Sequence, residues 1–171
     1  MQERLGEILS KFFSPQMVTF LLAMLPISEL RGALPYALLV GKMSIANAFL
    51  ISIVGNLVPI PFWLYLLEPI TRWISRVPTG KRFVDWVFTR TRARSETVRK
   101  YELIGVMLFV AVPLPMTGAW SGAIASHIFG LKKVPALISI TGGVIIAGVI
   151  VLVATIGVKE IVALIMRIWS G

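Results

Sequence analysis

Cysteine is absent from this chain. That excludes a disulfide, a thiolate metal site and a cysteine nucleophile, and it leaves the redox compartment open. Histidine occurs once, at His127, and acidic residues number only eight. No cluster of ligands has metal-site spacing, and P-loop, dinucleotide and catalytic-triad patterns are missing. No metal, no cofactor and no enzymatic activity are therefore expected, nor ATP-driven transport by this chain alone. An intramembrane enzyme would need a nucleophile–base pair that the sequence does not offer. Charge of either sign is sparse, at 15% of residues, against about 25% in soluble domains. The opening segment MQERLGEILSKFF mixes acids with its bases and has no long apolar core. It does not read as a signal peptide.

What is abundant is apolar sequence. Of the 171 residues, 57% are hydrophobic, and mean hydropathy is +0.86. A helical span takes about 20 residues, so four spans with short loops nearly fill the chain. The expectation is an all-α integral membrane protein, a single membrane domain over residues 1–171, with about four hydrophobic segments. Residues 1–14 carry Leu5, Ile8, Leu9, Phe12 and Phe13 at helical spacing, which predicts an amphipathic helix on the interface. Residues 16–67 form a first half, 68–101 a connector, 103–158 a second half, and 159–171 a tail ending in an interfacial Ile168-Trp169. The clean spans are Ser44 to Leu67, with Trp63 and Tyr65 placed for an aromatic belt, and Val134 to Val158.

The net charge of +9 is concentrated in the connector. Nine of the 17 basic residues lie between Arg72 and Lys100, offset there only by Asp85 and Glu96. Basic loops stay cytoplasmic, so the 72–100 segment is expected inside. It is expected to contact anionic lipid and not nucleic acid. Ile70, Trp73, Ile74 and Val77, then Phe83, Trp86 and Val87, predict two amphipathic connector helices separated at Pro78-Thr79-Gly80.

Two apolar segments are interrupted in matching places: MLPISELRGALPYALLVG, from Met24 to Gly41, and VAVPLPMTGAWSGAIASHIFG, from Val110 to Gly130. Pro26 and Pro35 break the first block (16–40), and Pro113 and Pro115, with Gly118 and Gly122, the second (103–129), because proline removes a backbone donor and clashes with the preceding turn. A bilayer tolerates such backbone only where protein buries it or it lines a wet cavity. Each block is either one broken span or a re-entrant hairpin, and the sequence leaves both open. Each is followed by an apolar span with a small-residue break, Gly55-Asn56 in one and Gly142-Gly143 in the other. With a cytoplasmic connector between them, the halves would form an inverted repeat. Paired discontinuous helices of this kind point to a transport site.

The candidate binding residues cluster at these breaks. Ionisable residues at membrane depth are costly and so are functional candidates, which singles out Glu29 and Arg31. Ser28 and Thr117 are placed as N-caps of half-helices whose positive dipole ends would favour an anion. Arg31 would strengthen that preference through its planar guanidinium. Glu29 would pair with Arg31, bind a cationic substrate, or take up a proton as desolvation disfavours its charge. Tyr36, Asn56, Thr117, Trp120 and Ser121 are expected to line the same cavity, with Trp120 able to cover it or to stack on a quaternary amine. His127 reads as a packed or interfacial histidine and not a proton relay. Gly118, Gly122, Ser126 and Gly130 recur every fourth position, as do Ala33, Ala37 and Gly41. Such faces let helices approach closely and favour a homo-oligomer.

The stretches LPISELRGALPYALLVG and AVPLPMTGAWSGAIAS resemble the two signature segments of the small multidrug export protein family. That family is similar in layout to the DedA-type membrane proteins, which have two re-entrant segments with adjoining spans. The motifs that carry the resemblance are E-L-R-G-A-x-P, from Glu29 to Pro35, and P-L-P-x-T-G-A-W, from Pro113 to Trp120. The resemblance implies a multi-pass protein of a bacterial or archaeal plasma membrane. It also implies export of small molecules or proton-linked movement of phosphorylated lipid carriers, with Glu29 and Arg31 as the essential charged pair. DedA-type proteins carry arginines near the second break. Here Ala111 to Ser126 has no charged residue, which leaves Arg31 alone to hold a phosphate.

The leading expectation is a secondary transporter or flippase for a small amphiphile or a lipid head group, coupled to an ion gradient through Glu29 and Arg31. The alternative is a non-transporting scaffold or assembly factor that contacts anionic lipid through its basic connector.

Overall fold

A computed structural model describes residues 13–82, 84–85, 96–114 and 117–169. The expected helix over 1–14 lies outside these residues except for its last two. So do Phe83, Trp86 and Val87 of the connector. Every regular element among the described residues is helical.

Helix α1, Pro15–Met24, begins at Ser14, whose hydroxyl accepts from the Met17 N–H at 3.4 Å. Pro15 sits where its missing N–H costs nothing. The helix stops before Pro26. Leu25 is extended, φ −75° and ψ 133°, as a residue preceding proline prefers. After a turn at 25–28 the chain enters α2, Glu29–Leu39. Val18, Leu22 and Ala23 of α1 meet Ala33 and Tyr36 of α2 in one buried cluster, so the first block is a helical hairpin. Pro35, expected to break the block, lies inside α2 instead. The buried neighbours Ala33, Leu34, Tyr36 and Ala37 hold the helix together against the loss of one backbone bond to Arg31.

Helices α3, Ile45–Leu57, and α4, Pro59–Ile74, follow one another as an apolar run of mean hydropathy 1.9, long enough to cross a bilayer. The run is interrupted only at Val58, whose backbone stays helical at φ −53° and ψ −44°. It extends past the expected end at Leu67. Ile70, Trp73 and Ile74 are therefore the end of this helix and not a separate interfacial one. Pro69 is accommodated within it, and the Glu68–Arg72 pair, one turn apart at 2.6 Å, supports the continuation.

Helix α5, Glu96–Ala111, starts inside the expected connector. The backbone is irregular at 112–114 and 117–118 before α6, Ala119–Ile128. Gly122, expected as a break, sits within α6, and Pro115 lies outside the described residues. Helix α7, Lys133–Trp169, absorbs the expected tail. Its window of mean hydropathy 2.7 makes it the second helix able to span a membrane.

The chain groups into two compact units, Met1–Gly55 with Ile146–Gly171, and Asn56–Ile145. Each contains a glycine that fixes a close helix approach. In the first unit, a Cβ added to Gly55 of α3 would lie 2.7 Å from the Phe20 carbonyl oxygen and 2.8 Å from the Ala23 Cβ of α1. In the second, a Cβ on Gly143 of α7 would lie 2.6 Å from both the Met107 carbonyl oxygen and the Val110 Cβ of α5. Phe20 and Ala23 stand six and three residues before Pro26, and Met107 and Val110 stand six and three before Pro113. The same packing contact is thus made at the same register in both halves of the sequence.

Candidate functional site

Glu29 opens α2 at the turn of the first hairpin. Its residue is only 4% exposed, and its backbone is left-handed at φ 47°, a conformation that side-chain-bearing residues adopt at a cost of about 1–2 kcal/mol. Its carboxylate Oε2 accepts from the Arg31 guanidinium at 3.0 Å. The turn keeps helix-type backbone bonds, Glu29 N–H to Leu25 C=O at 2.8 Å and Gly32 N–H to Ser28 C=O at 3.0 Å. Ser28 occupies the N-cap position but does not cap. It is helical in backbone, and its buried hydroxyl has no partner. Tyr36 is buried in the α1–α2 cluster. A strained, buried carboxylate is thus paired with a partly exposed arginine at the start of the helix.

The other candidates lie in the second unit. Thr117 is not the cap of α6; Gly118 is. The single hydrogen of the Thr117 hydroxyl lies between the carbonyl oxygens of Val112 at 2.7 Å and Leu114 at 2.9 Å, and its oxygen accepts from the Leu114 N–H at 3.2 Å. Ser121 closes the next turn, accepting from the Gly118 N–H at 2.9 Å. Both hydroxyls hold the loop. Trp120 packs its ring on Trp63 of α4, centroids 5.1 Å apart and planes tilted 56°. Both indole N–H groups are buried without a partner, as is the amide oxygen of Asn56. Asn56, Ile60 and Trp63 fall on one helical face. Each unpaired buried polar group costs about 1–3 kcal/mol, and this face carries one such donor and one such acceptor.

Sequence reasoning passed over Trp63 as an interfacial anchor and missed a polar cleft altogether. The cleft, about 640 Å³, is lined by residues of α4, by residues 84–85 and by the end of α6 and start of α7. The Thr71 hydroxyl donates to Leu67 C=O at 2.8 Å. It also hydrogen-bonds His127 Nε2, 2.7 Å away, with the donor set by the histidine's tautomer. Glu68 bonds Arg72 at 2.6 Å through one oxygen and Lys133 at 3.1 Å through the other. Lys133 also lies 4.2 Å above the Tyr65 ring. A lone histidine and an acid closing an apolar run were visible signals. Their meeting depends on α4 packing against α6. Among the described residues no cluster of metal-ligating side chains occurs.

The charged first turn of α2, the α3–α4 run, the loop after α5 and the first half of α7 fall within residues 29–150, and the model of one protein family matches that same stretch. The chain belongs to the family described as Putative small multi-drug export protein. The match begins at the strained Glu29, covers well over half of the chain and ends within α7. No curated protein and no solved structure matches it. Membership in this family, with two helices long and apolar enough to cross a bilayer, makes the chain a membrane protein with a name that points to export.

Proposed function

We propose that this protein is a secondary transporter or flippase that moves a small amphiphile or a lipid head group across a bacterial or archaeal plasma membrane, coupled to an ion gradient through Glu29 and Arg31. The observation that carries the reading is the Glu29–Arg31 pair, buried at a hairpin turn with Glu29 in a strained backbone. Strain of this kind gathers at switch and ligand sites. Protonation of Glu29 frees Arg31 to hold an anionic group, and deprotonation restores the internal pair and expels it.

Other features support the same reading. Helices α1 and α2 are about 15 Å long at 1.5 Å per residue, half the hydrocarbon thickness, as a re-entrant hairpin requires. The matched glycine contacts at Gly55 and Gly143 support a structural repeat. With the basic 72–100 connector on the cytoplasmic side, that repeat is inverted, a layout like that of DedA-type proteins.

The chain's lack of cysteine makes the test direct. Single cysteines at Ser28, Gly32, Thr117 and Ser121 are labelled in cells with a membrane-impermeant thiol reagent, from either face, with and without a proton gradient. Labelling that changes face with the gradient is the expected result. Positions closed from both sides in every condition would replace transport with the scaffold function. Glu29→Gln is expected to abolish gradient-driven uptake in vesicles while the protein remains folded.

A further inference from the structure

The cleft at the end of α4 has no part in the Glu29–Arg31 switch, and its charge inventory is specific. Among the described residues, four charged side chains line it, two carboxylates (Glu68 and Asp85) and two cations (Arg72 and Lys133). The Thr71–His127 hydrogen bond lies on its wall. Its volume, about 640 Å³, falls in the usual range for small-ligand sites. Glu68 is bridged by both cations, yet neither cation is saturated by that contact. A guanidinium has five N–H donors and an ammonium three. A purely anionic ligand would meet two carboxylates, and a purely cationic one would meet two cations. A group carrying both charges satisfies every partner. Its phosphate would take Arg72 and Lys133, and its ammonium would take Glu68 and Asp85.

The surroundings set the depth. Tyr65 and Trp73, on the same helix and 61% and 69% exposed, are amphipathic rings near the end of an apolar run, the usual marks of the headgroup level. We infer that this cleft binds a zwitterionic head group that joins a phosphate to a primary ammonium, as in an ethanolamine phospholipid or in free phosphoethanolamine. The site goes beyond the transport reading and does not rest on it. Glu68 is the selective element. Its charge beside both cations repels a simple anion and supplies the partner an ammonium needs.

The test uses the full chain in detergent. Native mass spectrometry counts retained lipid after addition of phosphatidylethanolamine, phosphatidylcholine or phosphatidylglycerol, and calorimetry follows free phosphoethanolamine. The ethanolamine lipid is expected to be retained in preference to the glycerol lipid. Arg72→Gln and Lys133→Gln are each expected to weaken retention about tenfold, the value of one charge-assisted hydrogen bond. Arg72 is 78% exposed in its side chain, so its replacement leaves the core intact. Glu68→Gln is expected to invert the preference toward the glycerol lipid, because it removes the ammonium's partner and frees both cations. Retention of the lipid without uptake of free phosphoethanolamine identifies the lipid as the source, and uptake of both identifies the head group as sufficient. Preference for the glycerol lipid in the unaltered protein, binding of neither ligand, or indifference to all three substitutions would overturn the proposal.

Discussion

The α1–α2 hairpin turns within residues 25–28 and carries helix-type backbone bonds through the turn, with a buried charge pair beside it. The α5–α6 hairpin is irregular at 112–114 and 117–118, has no charged residue there, and is held by the hydroxyls of Thr117 and Ser121. Both are followed by a helix that approaches the hairpin's first arm at a glycine, in the same register. Packing between helices is thus alike in the two regions, while the turns differ in chemistry. The first stores strain and charge, and the second spends its polar groups on its own backbone. The glycine contacts are common to both regions, and the strained, charged turn at Glu29 belongs to the first alone.

The sharpest way to break the likeness is to fill the glycines. Gly55→Val and Gly143→Val each push a Cβ against a backbone carbonyl and should lower stability by about 3 kcal/mol, the upper range of overpacking. Thermal unfolding in detergent should show similar losses for both. Gly105, whose added Cβ meets nothing within 4 Å, is the control. Gly105→Ala should be neutral or stabilise by up to about 1 kcal/mol through helix propensity. If only one of the two glycines tolerates valine, the packing equivalence is lost.

Next in size is the charge pair. Arg31→Gln leaves the Glu29 carboxylate buried without its guanidinium partner, and unfolding should show a loss of about 2 kcal/mol. That is less than for a fully buried pair, because the Arg31 side chain is 24% exposed. Combining Glu29→Gln with Arg31→Gln should restore stability but not vesicle uptake. Recovery of uptake in the double variant would make the pair a structural neutralisation only.

The turn hydroxyls give a smaller contrast. Thr117→Val should cost about 1 kcal/mol, the net worth of a hydrogen bond. Ser28→Ala should change denaturation by less than about 0.5 kcal/mol, since the Ser28 hydroxyl has no partner. Equal losses at the two sites would remove the distinction between a self-stapled turn and a strained one. Effects comparable to that of Thr117→Val come just past each hairpin, where Lys42 (φ 49°) and Gly130 (φ 67°) take the same left-handed backbone. Lys42→Gly should raise the unfolding free energy and Gly130→Ala lower it, each by roughly 1 kcal/mol.

Much of this was legible in the sequence because bilayer physics is strict. Pro26 and Pro113 marked both breaks, since a missing N–H next to an extended residue ends a helix wherever it occurs. Pro35 and Gly122 were misjudged for the opposite reason. Within α2 and α6 their neighbours are buried, and packing overrides a local breaker. The helices run past the expected spans at Leu67 and Val158, because a helix continues past its apolar part when nothing stops it. Glu29 and Arg31 stood out by cost alone. The 68–133 cleft did not, because Glu68, Thr71, His127 and Lys133 are far apart in the chain and ordinary one by one.

The sequence by itself determined the membrane class, the two interrupted segments and the isolation of one charge pair. Each follows from composition and from the price of polar groups in hydrocarbon. Only the tertiary structure decided that the first block folds back on itself. It alone decided that Gly55 and Gly143 make equivalent contacts, that Trp63 meets Trp120, and that two acids and two bases gather in one cleft. These depend on which helix faces meet, and a linear pattern of residues does not carry that choice.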